Sequence, residues 1–361
     1  MRKTSWILLL IWSMSTNLSM AESWAFVGVN VIPMDEAKVL KQHTVLVEDG
    51  VITGVGPVGS VPLPAGVRRI EGEDRYLMPG LAEMHAHVPQ PAQGSDFQEQ
   101  VLALFAVNGI TTIRSMLGHP QHLELRETIN SGAHPLAPRV FLSGPSFNGN
   151  SIDGVEDARA MVEDQKNQGY DFLKLHPGLT LEEFDAMAEQ AQASGMVIAG
   201  HVPLDVGLAR ALEVRLSSID HLDGYMQAVL NVPEGETAPD TFFGVFASPF
   251  ADIEKIINIA TQTAEAGVWN VPTQSLIENV FSTEDPEVLA AWPEMRYMPA
   301  GTVLNWANSK RSLLSDPRFS ASVSQQTIFV RQVLIKALHD AGAGLLLGSD
   351  APQVFNVPGF A

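Results

Sequence analysis

The sequence predicts an α/β protein: a (β/α)8 TIM-like barrel carrying a small N-terminal β unit. Two observations predict it. From residue 77 onward, short apolar, β-rich runs alternate with helical stretches until eight such runs have passed. The polar residues best suited to chemistry fall at the ends of these runs. The competing architecture, a doubly wound open sheet, wants a Gly-rich phosphate loop between a strand and a helix, and no G-x-G-x-x-G lies in the alternating region 77–361.

Composition narrows the class. The 361 residues are 45% hydrophobic and 17% charged, ample for a large core and unlike a disordered chain. The formal charge is −19 with no Lys/Arg-rich run, which argues against a nucleic-acid or anionic-membrane partner. Cysteine is absent, so disulfides, thiolate catalysis and Cys-ligated zinc are excluded. Residues 1–21 have the plan of a secretory signal peptide: Arg2 and Lys3, an apolar run at 6–12, then Ser19-Met20-Ala21. That run is far short of the roughly 20 residues a membrane anchor needs. The expected product is periplasmic or secreted, off the membrane once the signal is cleaved.

The mature chain opens on strands at 26–33, 44–47 and 51–55, and Asp49-Gly50 between the last two signals a type I′ hairpin. Residues 22–76 therefore form the N-terminal β unit and 77–361 the barrel. Barrel strands are expected at 77–87, 109–116, 139–143, 172–176, 196–202, 218–222, 268–273 and 345–350. Helices are expected at 96–107, 122–130, 155–168, 180–194, 205–212, 253–266 and 325–341. Gly169 and Gly195 are C-cap residues, and Thr180 with Glu183 makes a capping box. Two long inserts, 223–252 and 275–324, follow strands six and seven and are placed to roof a pocket.

Strand one ends in His85 and His87. Alternation along a strand puts a His-x-His pair on one face, the start of a metal site, although a solvated strand end can look the same. Strand four carries Lys174, strand five ends in His201, strand six in His221 and strand eight in Asp350. Of ten histidines, four hold strand ends, whereas His43, His119, His122, His134 and His339 are scattered. Singly, each has an ordinary structural alternative; for Lys174 it is a Schiff-base lysine or half of an internal ion pair, both weakened by metal-type ligands at four other strand ends. His176 and Tyr225 are candidate substrate contacts. Glu83, deeper on the face of His85, is a candidate acceptor for an imidazole N–H.

The set His85-x-His87, Lys174, His201, His221 and Asp350, with the phrases LMPGLAEMHAH, GITTIRSM, HLDG and GSDAP, resembles the amidohydrolase superfamily of metal-dependent hydrolases. The similarity runs over essentially everything after residue 21, and its flavour is the binuclear imidazolonepropionase/prolidase-like branch. The resemblance implies two divalent metal ions, most simply Zn2+. It implies His85, His87 and Asp350 on one and His201 and His221 on the other. Lys174 would bridge them as a carbamate formed with carbon dioxide, and Asp350 would be catalytic, handling the proton of an activated water. The implied reaction is hydrolysis of an amide or peptide-type C–N bond in a small molecule. A mononuclear deaminase of the same superfamily, or a non-catalytic relative, is the alternative.

Phe242, Phe243, Phe246, Phe250, Trp292, Tyr297 and Trp306 lie in the two inserts. An apolar roof suits a dipeptide or an N-acyl amino acid, though packing of the roof onto the barrel explains most of these rings. Members of the superfamily continue past the strand-eight aspartate with a helix and strands that complete a composite β-sandwich. The expectation is thus a C-terminally truncated barrel and a β-sandwich lacking its C-terminal half. Homo-oligomerisation is left open.

Overall fold

The computed structural model describes residues 23–233 and 242–360. The expected signal peptide lies outside them. The chain divides into two compact units, Met1–Pro79 and Gly80–Ala361.

The first unit is a five-stranded sheet in the order β3-β2-β1-β4, with β5 also pairing β1. Its strands are β1 (Ser23–Val31), β2 (Leu40–Glu48), β3 (Val51–Pro57), β4 (Arg68–Glu71) and β5 (Tyr76–Leu77). Ala25, Val27, Val29 and Val31 are the buried face of β1, the period-two signature of a half-covered strand. Between β2 and β3, Asp49 (φ 51°) and Gly50 (φ 77°) both adopt the left-handed region that a type I′ turn demands.

In the second unit, strands and helices alternate. The order is β6 (Leu81–Ala86), α1 (Ser95–Val107), β7 (Ile110–Ser115), α2 (Pro120–Asn130), β8 (Arg139–Leu142), α3 (Val155–Gln168), β9 (Leu173–Leu175) and α4 (Leu181–Ser194). It continues with β10 (Ile198–Gly200), α5 (Gly207–Val214), β11 (Ser218–Asp220), α6 (Tyr225–Ala228), α7 (Ile253–Ala266) and β12 (Trp269–Val271). Four helices follow: α8 (Gln274–Phe281), α9 (Pro286–Ala290), α10 (Ala300–Leu314) and α11 (Ala321–Asp340). The expected capping signals act as read. Thr180 and Glu183 bond reciprocally at the start of α4, and Gly169 and Gly195 close α3 and α4 in the left-handed conformation.

The strands are parallel, as βαβ connections require. Their regular ladders form two sheets, β6-β7-β8 and β9-β10-β11-β12, and not the single closed eight-stranded barrel that was expected. Single bridges, Ser143 to Phe172 and Phe147 to Leu175, run from the β8 side to the β9 side. The expected eighth strand, 345–350, makes no regular ladder. It touches β12 through a Leu345–Asn270 bridge, and β6 through Met84 N–H to the Leu347 carbonyl (2.9 Å) and Asp350 N–H to the His85 carbonyl (2.8 Å). Glycine is the physical reason. A Cβ on Gly344 would lie 2.3 Å from the Trp269 ring, and one on Gly348 2.1 Å from Val271, so this segment seats by close approach where a pleat would carry side chains.

Two large apolar clusters fill the second unit. One gathers β9, β10 and β11 with α3, α4, α5, α7 and α11; the other gathers β6, β7 and β8 with α1 and the helices of the second insert. The chemically interesting side chains lie at the ends of the strands these clusters hold.

Candidate metal centre

His85 is buried, and the ladder of β6 is irregular between Glu83 and Ala86, where it turns toward the segment carrying Asp350. Asp350 lies across from it with φ 65°, a left-handed backbone unusual for a non-glycine residue. Its Oδ1 is 2.5 Å from Nε2 of His87 and 3.4 Å from Nε2 of His85, and its Oδ2 is 3.9 Å from Nε2 of His221. Ligand atoms of His85, His87 and Asp350 all lie within 4.8 Å of one another. The remaining histidines continue the group. The rings of His85 and His221 are 4.5 Å apart, those of His221 and His201 4.6 Å, and those of His201 and His176 4.8 Å. Lys174, fully buried on β9, brings its Nζ to 3.5 Å from Oδ2 of Asp220.

All six residues expected as metal ligands are thus brought together, joined through Asp220. His176 is there too, against His201. Tyr225 is not. It begins α6 fully buried, and its hydroxyl bonds Thr263 of α7 at 3.0 Å, so it is a core residue and no substrate contact. Burial raises its phenol well above the ordinary value.

Glu83 also differs from expectation. It holds no imidazole: its carboxylate accepts the backbone N–H of His85 (3.0 Å), the backbone N–H of Ser349 (2.8 Å) and the Ser349 hydroxyl (2.8 Å). It staples β6 to the Asp350 segment. Burial raises its pKa, and the Ser349 bonds offset part of that.

Three supporting residues escaped sequence reasoning: Asp220, Asp223 and Thr273. Asp220 is buried beside Lys174, with Oδ2 3.0 Å from Nδ1 of His85 and Oδ1 held by Ser218 (3.1 Å) and Arg114 (3.4 Å). Burial alone would raise its pKa, but Lys174 and Arg114 outweigh this and hold it below the ordinary value. Asp223, in the HLDG phrase, lies 2.5 Å from Nδ1 of His201; a carboxylate only accepts, so Nδ1 donates and Nε2 is left bare. Thr273 bonds Nδ1 of His221 at 2.8 Å. Only the position of Asp223 two residues past His221, and of Asp220 one before it, could have drawn attention to the two acids.

Burial keeps three of the imidazoles neutral, the form that ligates a metal: it pushes His85 and His221 well below their ordinary value and His176 down to about 2. Burial also lowers the Lys174 amine, against the opposing pull of Asp220. Overhead, the Phe243 ring meets His221 edge-on at 5.2 Å and Phe281 at 6.4 Å, so one aromatic of the first insert lies over the group. Trp306 instead packs on Phe355 within the core.

The donor set suits a divalent metal: neutral imidazole nitrogens and a carboxylate are what zinc takes. Orphaned atoms support the fit. Nδ1 of His85 and Nζ of Lys174 lie 3.0 and 3.5 Å from Oδ2 of Asp220, all three buried and without hydrogen-bond geometry, a costly arrangement unless a further group sits among them.

No family model matches the chain. Locally it is 52% identical over 48 residues to an imidazolonepropionase of Salinispora tropica, covering 13% of this chain and 12% of that protein. Over 61 residues it is 43% identical to a 5-methylthioadenosine/S-adenosylhomocysteine deaminase of Symbiobacterium thermophilum, covering 17% and 14%. These matches therefore span about an eighth of either curated relative. Among solved structures, bottromycin amidohydrolase superposes with a TM-score of 0.64 at 22% identity, covering 94% of this chain and 71% of that one. A Xaa-Pro dipeptidase with methionine in its active site gives 0.60 at 19%, covering 91% and 79%. The chain thus shares its fold with these solved structures and short stretches of sequence with the two curated relatives.

Proposed function

We propose that the protein is a metal-dependent hydrolase that cleaves an amide or peptide-type C–N bond of a small substrate, a dipeptide or an N-acyl amino acid first. The observation that carries this reading is the convergence of His85, His87 and Asp350, with His221, His201 and buried Lys174 around them. His85, His87 and Asp350 would hold one ion; His201 and His221, each with Nδ1 engaged, would offer Nε2 to a second. Divalent ions, Zn2+ most simply, would supply Lewis acidity and an activated water there.

The chain's own groups do the rest. Burial lowers the Lys174 amine, which favours the neutral form that adds carbon dioxide, losing one proton to become a carbamate. Asp350 touches two of the candidate ligand imidazoles, and its carboxylate would take a proton from water and return it to a leaving nitrogen. His87 is partly exposed, so the group opens on its side. The prolidase- and amidohydrolase-named neighbours agree with a C–N bond as target. A second reading, a mononuclear deaminase, is favoured by Lys174 lying against Asp220, an internal ion pair that would leave one ion on His85, His87 and Asp350. We also propose export, on residues 1–21.

Metal analysis separates the readings. Two ions per chain, one of them lost in Lys174→Ala, support the binuclear hydrolase; a single ion with lysine intact supports the deaminase. No bound ion overturns both. A panel of dipeptides and N-acyl amino acids then tests the substrate class.

A further inference from the structure

The largest fully buried side chain in the described residues is a charged one, Arg331, in the middle of α11. It makes no ion pair within 4 Å among the described residues; the charge that acts on it is that of Asp223, the partner of His201. Its donors go to the peptide backbone behind the candidate site. Nη1 donates to the carbonyl of His221 at 2.7 Å, Nη2 to the carbonyl of Pro272 at 2.8 Å, and Nε to the side-chain oxygen of Gln274 at 3.2 Å.

Those two carbonyls flank one histidine. His221 and Leu222 follow β11 with φ of 60° and 58°, and Thr273 follows Pro272 with φ 47°, three non-glycine residues in the left-handed region. Such backbone persists only when its surroundings over-determine it. The Thr273 hydroxyl donates to the Pro272 carbonyl at 2.8 Å, and it has one proton to give. With that proton so placed, its contact with Nδ1 of His221 at 2.8 Å is satisfied by Nδ1–H donating. A chain of bonds results: Arg331 grips the Pro272 carbonyl, Thr273 grips it too, and His221 donates to Thr273. The same guanidinium holds the His221 peptide. One arginine fixes both the backbone and the ring of a single ligand.

We infer that Arg331 is a positioning residue that locks His221 as its Nδ1–H tautomer and aims Nε2 at the centre, so that α11 sets the second of the two metal positions. The inference rests on the binuclear reading for its metal consequence, but not for the tautomer, which follows from hydrogen bonds within the chain alone. Nothing in the HLDG phrase or in α11 as a sequence announces this link.

The test uses the full chain with 15N-labelled histidine. Long-range 15N–1H spectra of the metal-free protein report which ring nitrogen carries the proton, with His221 assigned by its loss in His221→Asn. The wild type should show Nδ1 protonated and Nε2 bare. Arg331→Met and Thr273→Val should each shift or split that signature and release one of two bound Zn2+ equivalents, while the ion at His85, His87 and Asp350 stays. Arg331→Lys, able to reach one carbonyl but not both, should fall between; it and Thr273→Val carry the test should Arg331→Met not fold. An Nε2-protonated His221 in the wild type overturns the inference, as does a folded Arg331 variant with unchanged spectrum and metal content. If the tautomer responds as expected but the wild type takes up fewer than two ions, the lock stands and the binuclear reading falls.

Discussion

At the scale of single residues, the strand-end histidines, Lys174 and Asp350 were legible as a converging group because side chains at strand ends face the pocket. Their supports were not. Sequence reasoning picks out Glu83 but gives it the wrong partner, and it misses Asp220, Asp223 and Arg331. Such residues act through partners as many as 266 residues away, and no local pattern encodes such a pairing. Tyr225 misled for the converse reason: four residues past a ligand, it turns to α7 because its ring belongs to the core. Glu83 should be the costliest of the supports to remove. Glu83→Ala leaves two buried N–H groups and a hydroxyl without an acceptor, so urea unfolding should show a loss of about 3 kcal/mol, and Glu83→Gln a smaller one. His122 gives a pH prediction away from the site. Its Nε2–H donates to the Pro89 carbonyl and burial lowers its pKa, so below about 6.5 the unfolded chain takes up a proton that the native state refuses. Stability is full above that value and falls as pH drops, by up to about 1.4 kcal/mol per pH unit from this residue. Urea titrations at pH 7.5 and 5.5 should show a shallower pH dependence in His122→Gln than in the wild type.

At the scale of elements, helices were read well because their ends carry chemical punctuation. Thr180→Ala should cost about 1 kcal/mol of stability by losing the α4 cap, with metal content unchanged. The strands were read by place but not by regularity: β9, β10, β11 and β12 have three residues each, and the eighth segment seats on its glycines. Gly200, at the end of β10, shows what such contacts demand. With φ 136°, its ideal Cβ would sit 2.3 Å from the Leu175 carbonyl oxygen. Gly200→Ala should therefore cost more than about 2 kcal/mol and, by displacing His201, weaken the second ion before the first; thermal unfolding and zinc titration check the two effects.

At the scale of the whole molecule, metal and fold should be linked. An ion that binds only the native state stabilises it by about 2.7 kcal/mol when free metal exceeds its dissociation constant a hundredfold. A chelator should accordingly lower the Tm of the wild type, and lower it less in Lys174→Ala if that variant has already lost one ion. The Glu83 staple adds a consequence in time. Its acceptor oxygens are made early, but Ser349 follows 266 residues later. At a synthesis rate of about 5–20 residues per second, a nascent chain waits roughly 13–50 seconds with that carboxylate uncommitted. Through that interval His85 and His87 have no Asp350 to face. Translation speed, and any factor that shields a half-made sheet, should govern the yield of active protein more than the stability of the finished one does.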